Sequence, residues 1–177
     1  PRLKHLGLSL VFPKGWIYQN QIRVDRVYTA LLEPIDVRAH RIDPRKFQEA
    51  AEALQNMRRG PYTWLVFYDQ PPMTGSFLRM AAFQVALDQA RIACALERYR
   101  LEKGAYPEAL AALAPAYLPD VPVDVTTGQP LCYRSKGKEG YTLYGLGWNL
   151  VDDGGKRSPR PANQRGGIDL TQGDWVW

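Results

Sequence analysis

The chain has 177 residues, a formal net charge of +5 and 45% hydrophobic residues, which suits a globular protein with a buried core. No window of the sequence holds the 18 or more apolar residues of a membrane-spanning helix, and the apolar run Leu6 to Phe12 is far too short. Because the chain begins with Pro1 rather than Met, we expect a processed or truncated chain whose anchor or export signal has been removed.

The excess positive charge is confined to the first third of the chain. Residues 1–60 contain 11 Lys or Arg and 6 Asp or Glu, whereas residues 61–177 contain 12 of each. A basic surface near an anionic membrane or partner would explain this excess, and so would ordinary solvated helix faces. The basic residues are dispersed and accompany no nucleic-acid-binding motif, which argues against a nucleic-acid partner.

Apolar periodicity predicts two helices in the N-terminal third. The first begins near Trp16, ends before Pro34 and carries a stripe of Ile17, Val24, Val27, Tyr28 and Leu31. Asp43 and Pro44 suit the start of the second helix, and Gly60 suits its end. Its predicted apolar face consists of Phe47, Ala50, Leu54 and Met57. The segment YTWLVFY at 62–68 is rich in aromatic and branched residues and predicts a strand.

A long helix is predicted after Pro71 and Pro72, with Thr74 or Ser76 as its cap and Gly104 beyond its last turn. Plotted at 100° per residue, this helix has two apolar sides. One side contains Phe83, Leu87, Ala90, Cys94 and Leu101, and the other contains Val85, Ile92, Leu96 and Tyr99. We therefore expect both sides to be covered, one by a sheet and the other by the N-terminal helices. The predicted core residues are Phe83, Leu87, Cys94, Leu96, Tyr99, Tyr106 and Tyr133.

The remainder of the chain predicts a small antiparallel sheet. After a short helix from Pro107 to Leu113, residues 131–135 and 141–146 form a hairpin around KGKEG. Residues 147–167 predict a long loop, and GDWVW predicts an edge strand with Trp175 and Trp177 on one face. The predicted fold class is α+β. An N-terminal helical extension over 1–70 packs on an α+β domain over 71–177, in which a long central helix lies on the sheet.

Several spaced motifs between residues 80 and 170 resemble the soluble domain of the major pseudopilins of type II secretion systems. The helix ends in ERYRLEKGAYPEAL, and GYTLYGLG, WNLVDDGG and IDL follow in the family's order. The loop VPVDVTTGQPLCYR keeps Pro122, Asp124, Gly128, Pro130 and Tyr133. About 80 residues precede these motifs, and Val125 and Thr126 replace the family's Pro-Trp, so we do not expect a fibre subunit. GW-x-YQN and GDWVW also resemble bacterial envelope proteins without an assigned activity.

The resemblance implies a calcium site in the loop after Gly147. Asn149 matches the family's Asp after the strand, Asp169 matches its late Asp, and Asp152 and Asp153 lie nearby. Calcium takes six to eight oxygen ligands, which such a loop can supply. The alternative is a surface loop closed by pairs between the aspartates and the loop's basic residues, which are Lys156, Arg157, Arg160 and Arg165.

The two cysteines, Cys94 and Cys132, have no CxxC partner, which argues against zinc. If the sheet covers the Cys94 side of the helix, a disulfide can join the helix to the hairpin. The alternative is two buried free thiols that act as small hydrophobes.

No catalytic motif emerges from the sequence. His5 and His40 lack local catalytic neighbours, and no nucleophile elbow, phosphate loop or dinucleotide fingerprint is present. We therefore predict a non-catalytic, pseudopilin-like module of the bacterial cell envelope, on its periplasmic or extracellular face. It would bind other envelope proteins or itself, with a membrane tether through an upstream segment. One alternative is a ligand- or glycan-binding module that uses exposed aromatic residues, namely Trp148, Trp175 and Trp177 with Tyr133, Tyr141 and Tyr144. The other is an enzyme of unidentified class with a deep polar pocket.

Overall fold

The computed structural model describes residues 13–68, 73–159 and 167–177. The fold is α+β, as predicted, with a long helix and small antiparallel sheets. The chain divides into two compact units. The first is built from the described residues up to Pro34 and from Arg45 onward to Thr74, and the second from Ile35–Pro44 and Gly75–Trp177.

The first unit contains three helices: α1 (Lys14–Leu32), α2 (Pro44–Gln55) and α3 (Trp64–Tyr68). The two predicted helices are confirmed, although α2 ends before Gly60. The Asn20 side chain is fully buried, and its Nδ2 donates to the carbonyl oxygens of Trp16 and Pro61, at 2.8 Å each. The bond to Pro61 ties α1 to the turn that precedes α3, whereas the bond to Trp16 lies within α1.

The segment at 62–68 is helical, so the predicted strand is wrong. Thr63 Oγ1 accepts a hydrogen bond from the Gly60 amide at 2.9 Å and donates to the Arg58 carbonyl at 3.0 Å. These bonds organise the turn from which α3 begins, and Val66 of α3 is buried. Strand propensity depends on a neighbouring strand and is overridden where the chain meets helices instead.

The second unit is organised around α4 (Met73–Lys103). The helix ends as predicted: Gly104 has a φ of +82°, and its amide donates to the Arg100 carbonyl at 2.8 Å. Glycine adopts this left-handed conformation without the steric cost that a Cβ imposes.

The main sheet is antiparallel throughout and consists of β3 (Cys132–Ser135), β4 (Tyr141–Gly145) and β7 (Trp175–Val176), which lie side by side in that order. The predicted hairpin and C-terminal edge strand are therefore confirmed. However, Trp175 is 7% exposed and Trp177 is 52% exposed, so only the first of these two tryptophans packs into the core.

Two short hairpins lie outside the sequence predictions. β1 (Ile35–Asp36) pairs with β2 (Arg41–Ile42), and Asp36 Oδ1 accepts from the amides of Arg38 and Ala39 in the turn between them. β5 (Arg157–Pro159), inside the predicted loop, pairs with β6 (Ile168–Gly173), which begins just after that loop. The predicted short helix after Pro107 is a single 3₁₀ turn at Leu110–Leu113.

Candidate functional site

One apolar side of α4 is buried, and the other is exposed to solvent. Val85, Ile92 and Leu96 are at most 1% exposed and belong to the core of the second unit, together with Leu131, Leu143 and Trp175. Gln89 Nε2 on the same side donates to the Trp175 carbonyl at 2.5 Å. We call Val85, Ile92 and Leu96 the inner face.

The opposite side of α4 is exposed, so the prediction that both sides are covered is wrong. Phe83 and Met80 are each 66% exposed, Leu87 is 44% exposed and Leu101 is 75% exposed. Phe83, Leu87 and Cys94 are therefore not core residues. Leu96 is a core residue, as predicted. The other predicted core residues, Tyr99, Tyr106 and Tyr133, are partly buried and pack against the core. Amphipathicity can show that a helix has a second apolar side, but only the tertiary structure shows whether the chain covers it.

Apolar residues on this side recur with alternating spacings of three and four, and all of them except the half-buried Ala90 are exposed. They are Met80, Phe83, Leu87, Ala90, Cys94 and Leu101, and Glu97 occupies the remaining position of the series. We call these six apolar residues the outer seam. A repeat of 3.5 residues is the spacing with which one helix packs along another. At 1.5 Å per residue the seam is about 32 Å long.

Four of the seven positions directly beside the outer seam are arginines. On one flank these positions are Gln84, Arg91 and Arg98, and on the other they are Arg79, Ala86, Ala93 and Arg100.

The acidic residues of the same helix segment already have partners. Asp88 lies 3.1 Å from the Arg91 guanidinium and also accepts from Gln84. Glu102 accepts from Lys103 and from the Tyr117 hydroxyl, both at 2.7 Å.

Glu97, the remaining acidic residue of this segment, also has hydrogen-bond partners. The Glu97 carboxylate accepts from the Tyr106 hydroxyl and from Arg100, the latter at 2.9 Å, and these two hydrogen bonds lower the Glu97 pKa. Two of the four flanking arginines, Arg91 and Arg100, are thus already in ion pairs with carboxylates of their own helix.

The candidate disulfide between Cys94 and Cys132 is not formed in the structure, where both thiols are free. Cys94 lies in the exposed outer seam, whereas Cys132 lies in β3 and is half-buried. The alternative of two buried thiols therefore also fails for Cys94. Burial, with the nearby carboxylate of Asp152, raises the pKa of the Cys132 thiol.

Each of the four residues of the predicted calcium set already has a side-chain oxygen in a hydrogen bond with another group of this chain. Asp152 Oδ1 accepts from Tyr144 Oη at 3.0 Å and from the Gly154 amide at 2.8 Å, which lowers the Asp152 pKa. Asn149 Oδ1 accepts from the Val151 amide, and Asn149 Nδ2 lies 3.5 Å from Asp153 Oδ2.

Asp169 Oδ1 is engaged by Thr171, whose amide and hydroxyl both donate to it. Within the described ranges, no three His, Cys, Asp or Glu side chains are grouped so that they could hold a metal ion. The calcium site stays a prediction, which a change in melting temperature on adding a chelator would test. Arg160 and Arg165, two possible partners of these aspartates, lie outside the described residues.

A small cavity lies beside β6 and β7, near the N-terminal half of α4. Its volume is about 150 Å³, and Gln89, Arg157 and Asp174 are its polar wall residues. Asp174 is 1% exposed; its Oδ2 accepts from the Gly155 amide at 2.7 Å, and its Oδ1 has no hydrogen-bond partner among the residues that the structure describes. A small polar ligand or ordered water suits this wall.

The first unit has a larger groove, of about 310 Å³, between α1 and α2. Arg23 and Arg26 line it together with apolar residues such as Val27, Leu54 and Met57. Its open apolar floor is a second surface on which another molecule could lie.

Most aromatic residues of the glycan alternative pack inside the fold. Tyr144 is 2% exposed, and burial together with its hydrogen bond to Asp152 raises its pKa to about 12. Tyr133, Tyr141 and Trp148 lie partly buried against the core. Trp177 is the member of this set that is more than half exposed, so these residues form no aromatic platform on the described surface.

Comparisons with protein-family models, curated proteins and solved structures found no significant match. In the part of the chain that the structure describes, no helix is both long enough and apolar enough to cross a membrane.

Proposed function

We propose that this protein is a non-catalytic interaction module of the bacterial cell envelope that binds another helix along the outer seam of α4. The proposal rests on one observation: the five members of the outer seam that are larger than alanine are exposed on one helix at the 3.5-residue spacing of helix packing. Four of them, Met80, Phe83, Leu87 and Leu101, are each at least 44% exposed. An apolar row of this kind on a protein surface is typical of an interaction site.

The opposite face of α4 explains why the outer seam is suited to binding. Ile92 and Leu96 are buried in the core, and Gln89 bonds to β7, so the helix is held in place before any partner arrives. Binding would then cost little conformational entropy on the α4 side, which favours affinity. The pseudopilin-like motifs of the sequence support an envelope location and an assembly role.

The experiment that tests the proposal uses Cys94, a native thiol within the outer seam. A photo-cross-linking maleimide on Cys94 is expected to form a covalent adduct with a distinct protein in an extract of the cells that produce this chain. The double variant Phe83→Gln and Leu87→Gln should lose that adduct, because it removes seam area while leaving the inner face intact.

Two controls make the result decisive. The free energy of unfolding of the double variant should match that of the parent, which separates loss of binding from loss of folding. A Glu108→Gln variant changes an exposed residue away from the seam and should keep the adduct. An adduct that survives in the double variant, or no adduct above that of a Cys94→Ser chain, contradicts the proposal.

A further inference from the structure

We propose that the cavity beside β6 and β7 binds a small zwitterionic amino acid. Its volume is about 150 Å³, and a cavity of this volume holds a molecule of about six non-hydrogen atoms. Its wall combines a buried acid, Asp174, an exposed base, Arg157, and an apolar lining. A small amino acid carries an ammonium group, a carboxylate and a short carbon chain, so it complements all three features of the wall.

The Asp174 carboxylate is the strongest evidence for a ligand. Asp174 is 1% exposed, its Oδ2 accepts from the Gly155 amide at 2.7 Å, and its amide donates to the Lys156 carbonyl at 2.9 Å. Among the described residues, Asp174 Oδ1 is the only buried side-chain oxygen or nitrogen without a hydrogen-bond partner. An unsatisfied buried carboxylate oxygen is costly, and such atoms call for a water, an ion or a ligand. Oδ1 is therefore the acceptor that this wall offers to a bound molecule.

A cationic donor suits Asp174 Oδ1 better than a neutral one. A hydrogen bond between an ammonium group and a carboxylate is roughly twice as strong as one between neutral groups, and a buried site strengthens it further. Within the described ranges no Lys or Arg forms an ion pair with Asp174. Arg157 shares the wall, but its Nη2 donates to the Val176 carbonyl instead. The positive charge would therefore come from the ligand.

Arg157 supplies the opposite charge for the other end of the ligand. Its side chain is exposed and forms no ion pair with a described residue, so its remaining N–H groups are available to a carboxylate. The carbon chain of the ligand would lie against the apolar part of the wall. A water molecule would satisfy Asp174 Oδ1 but would gain nothing from these apolar residues, which are Ala82, Ala86, Ile168, Leu170, Trp175 and Val176.

The test compares β-alanine, n-propylamine and propionate, which share a carbon chain but carry both charges, only the cation and only the anion. Binding to the isotopically labelled full chain is followed by NMR through the Gly155 amide, which donates directly to Asp174. We expect β-alanine to bind roughly tenfold more tightly than either analogue. Asp174→Asn should weaken binding of β-alanine and n-propylamine but not of propionate. Arg157→Gln, at an exposed residue, should weaken binding of β-alanine and propionate but not of n-propylamine.

Two controls separate a binding role of Asp174 from a structural one. Asp120→Asn makes the same chemical change at an exposed aspartate outside the cavity wall, and this variant should bind β-alanine like the parent chain. Asp174→Asn should be at least as stable to urea as the parent, because the asparagine oxygen can keep the Gly155 bond while an unpaired buried charge is removed. A clear loss of stability would mean that the folded chain itself satisfies Oδ1, which overturns the inference.

The remaining outcomes also decide the inference, and they do so independently of the proposed function. Equal binding of the three compounds, or no binding of β-alanine to the parent chain, would leave Asp174 to an ordered water and overturn the inference. Binding of n-propylamine as tight as that of β-alanine would remove the role of Arg157 and with it the amino acid. The Phe83→Gln, Leu87→Gln variant should bind β-alanine normally, because neither residue lines the cavity.

Discussion

The inner face and the outer seam of α4 carry similar apolar side chains, but only the inner face is covered by the rest of the chain. The inner face meets the sheet, and Ile92 and Leu96 are completely buried. The outer seam holds side chains of similar size, yet Phe83 and Leu101 are mostly exposed. Inner-face burial therefore contributes to folding, whereas outer-seam area is left to stabilise a complex. Hydrophobicity alone does not tell a core residue from a binding residue.

The largest expected difference is in stability. Leu96→Ala should lower the free energy of unfolding by about 2–5 kcal/mol, because it leaves a cavity in a packed core. Leu101→Ala, the same change in the outer seam, should cost no more than about 0.5 kcal/mol. Urea denaturation followed by circular dichroism measures both. Equal losses at the two positions would mean that the seam belongs to the core after all.

Thiol reactivity gives a second contrast, between the outer seam and the sheet. At pH 7.5 we expect Cys94 to react with a maleimide at least tenfold faster than Cys132. Cys94 is exposed, and burial raises the Cys132 pKa, so that less of its reactive thiolate is present. Rates for Cys94→Ser and Cys132→Ser chains assign the two phases. Because its pKa is raised, the reaction rate of Cys132 should keep increasing at pH values above the pKa of an ordinary thiol. A rate for Cys132 at pH 7.5 as high as that of Cys94 would contradict the burial of Cys132.

A third test addresses the end of the helix that carries both faces. Gly104→Ala should destabilise the chain by about 1 kcal/mol, because Gly104 has a φ of +82°. Gly75→Ala, near the other end of α4 and with no atom within 4 Å of the added Cβ, should be neutral or slightly stabilising. Thermal melting compares the two. If Gly104→Ala is neutral, α4 does not end in the left-handed conformation.

The smallest effect concerns Glu97, the charged member of the outer series. Glu97→Gln should cost at most about 0.5 kcal/mol at pH 7, since the group is near the surface. Hydrogen bonds from Tyr106 and Arg100 lower the Glu97 pKa in the folded state. Its contribution is therefore present above the unfolded-state pKa and is lost as pH falls through the lower folded value. Denaturation of both chains between pH 7 and pH 3 should show the difference disappearing.

Local signals in the sequence were enough for most of the regular elements. Pro44 at the start of α2, Gly104 after α4 and the KGKEG turn each act within a few residues, so they can be interpreted without the fold. The same logic failed at Trp64–Tyr68, where strand-type residues form a helix because their neighbours are helices. It also missed the β5–β6 hairpin, since pairing between short irregular strands depends on contacts distant in sequence.

The amino-acid sequence by itself determined that α4 has two apolar sides, because side-chain directions follow from the helical repeat. Only the tertiary structure decided which side is covered, because burial depends on where β4 and β7 come to lie. The same limit applied to Cys94, which the sequence placed beside Phe83 and Leu87 but whose exposure required the fold. It also applied to Asp174, whose burial depends on the strands packed around it.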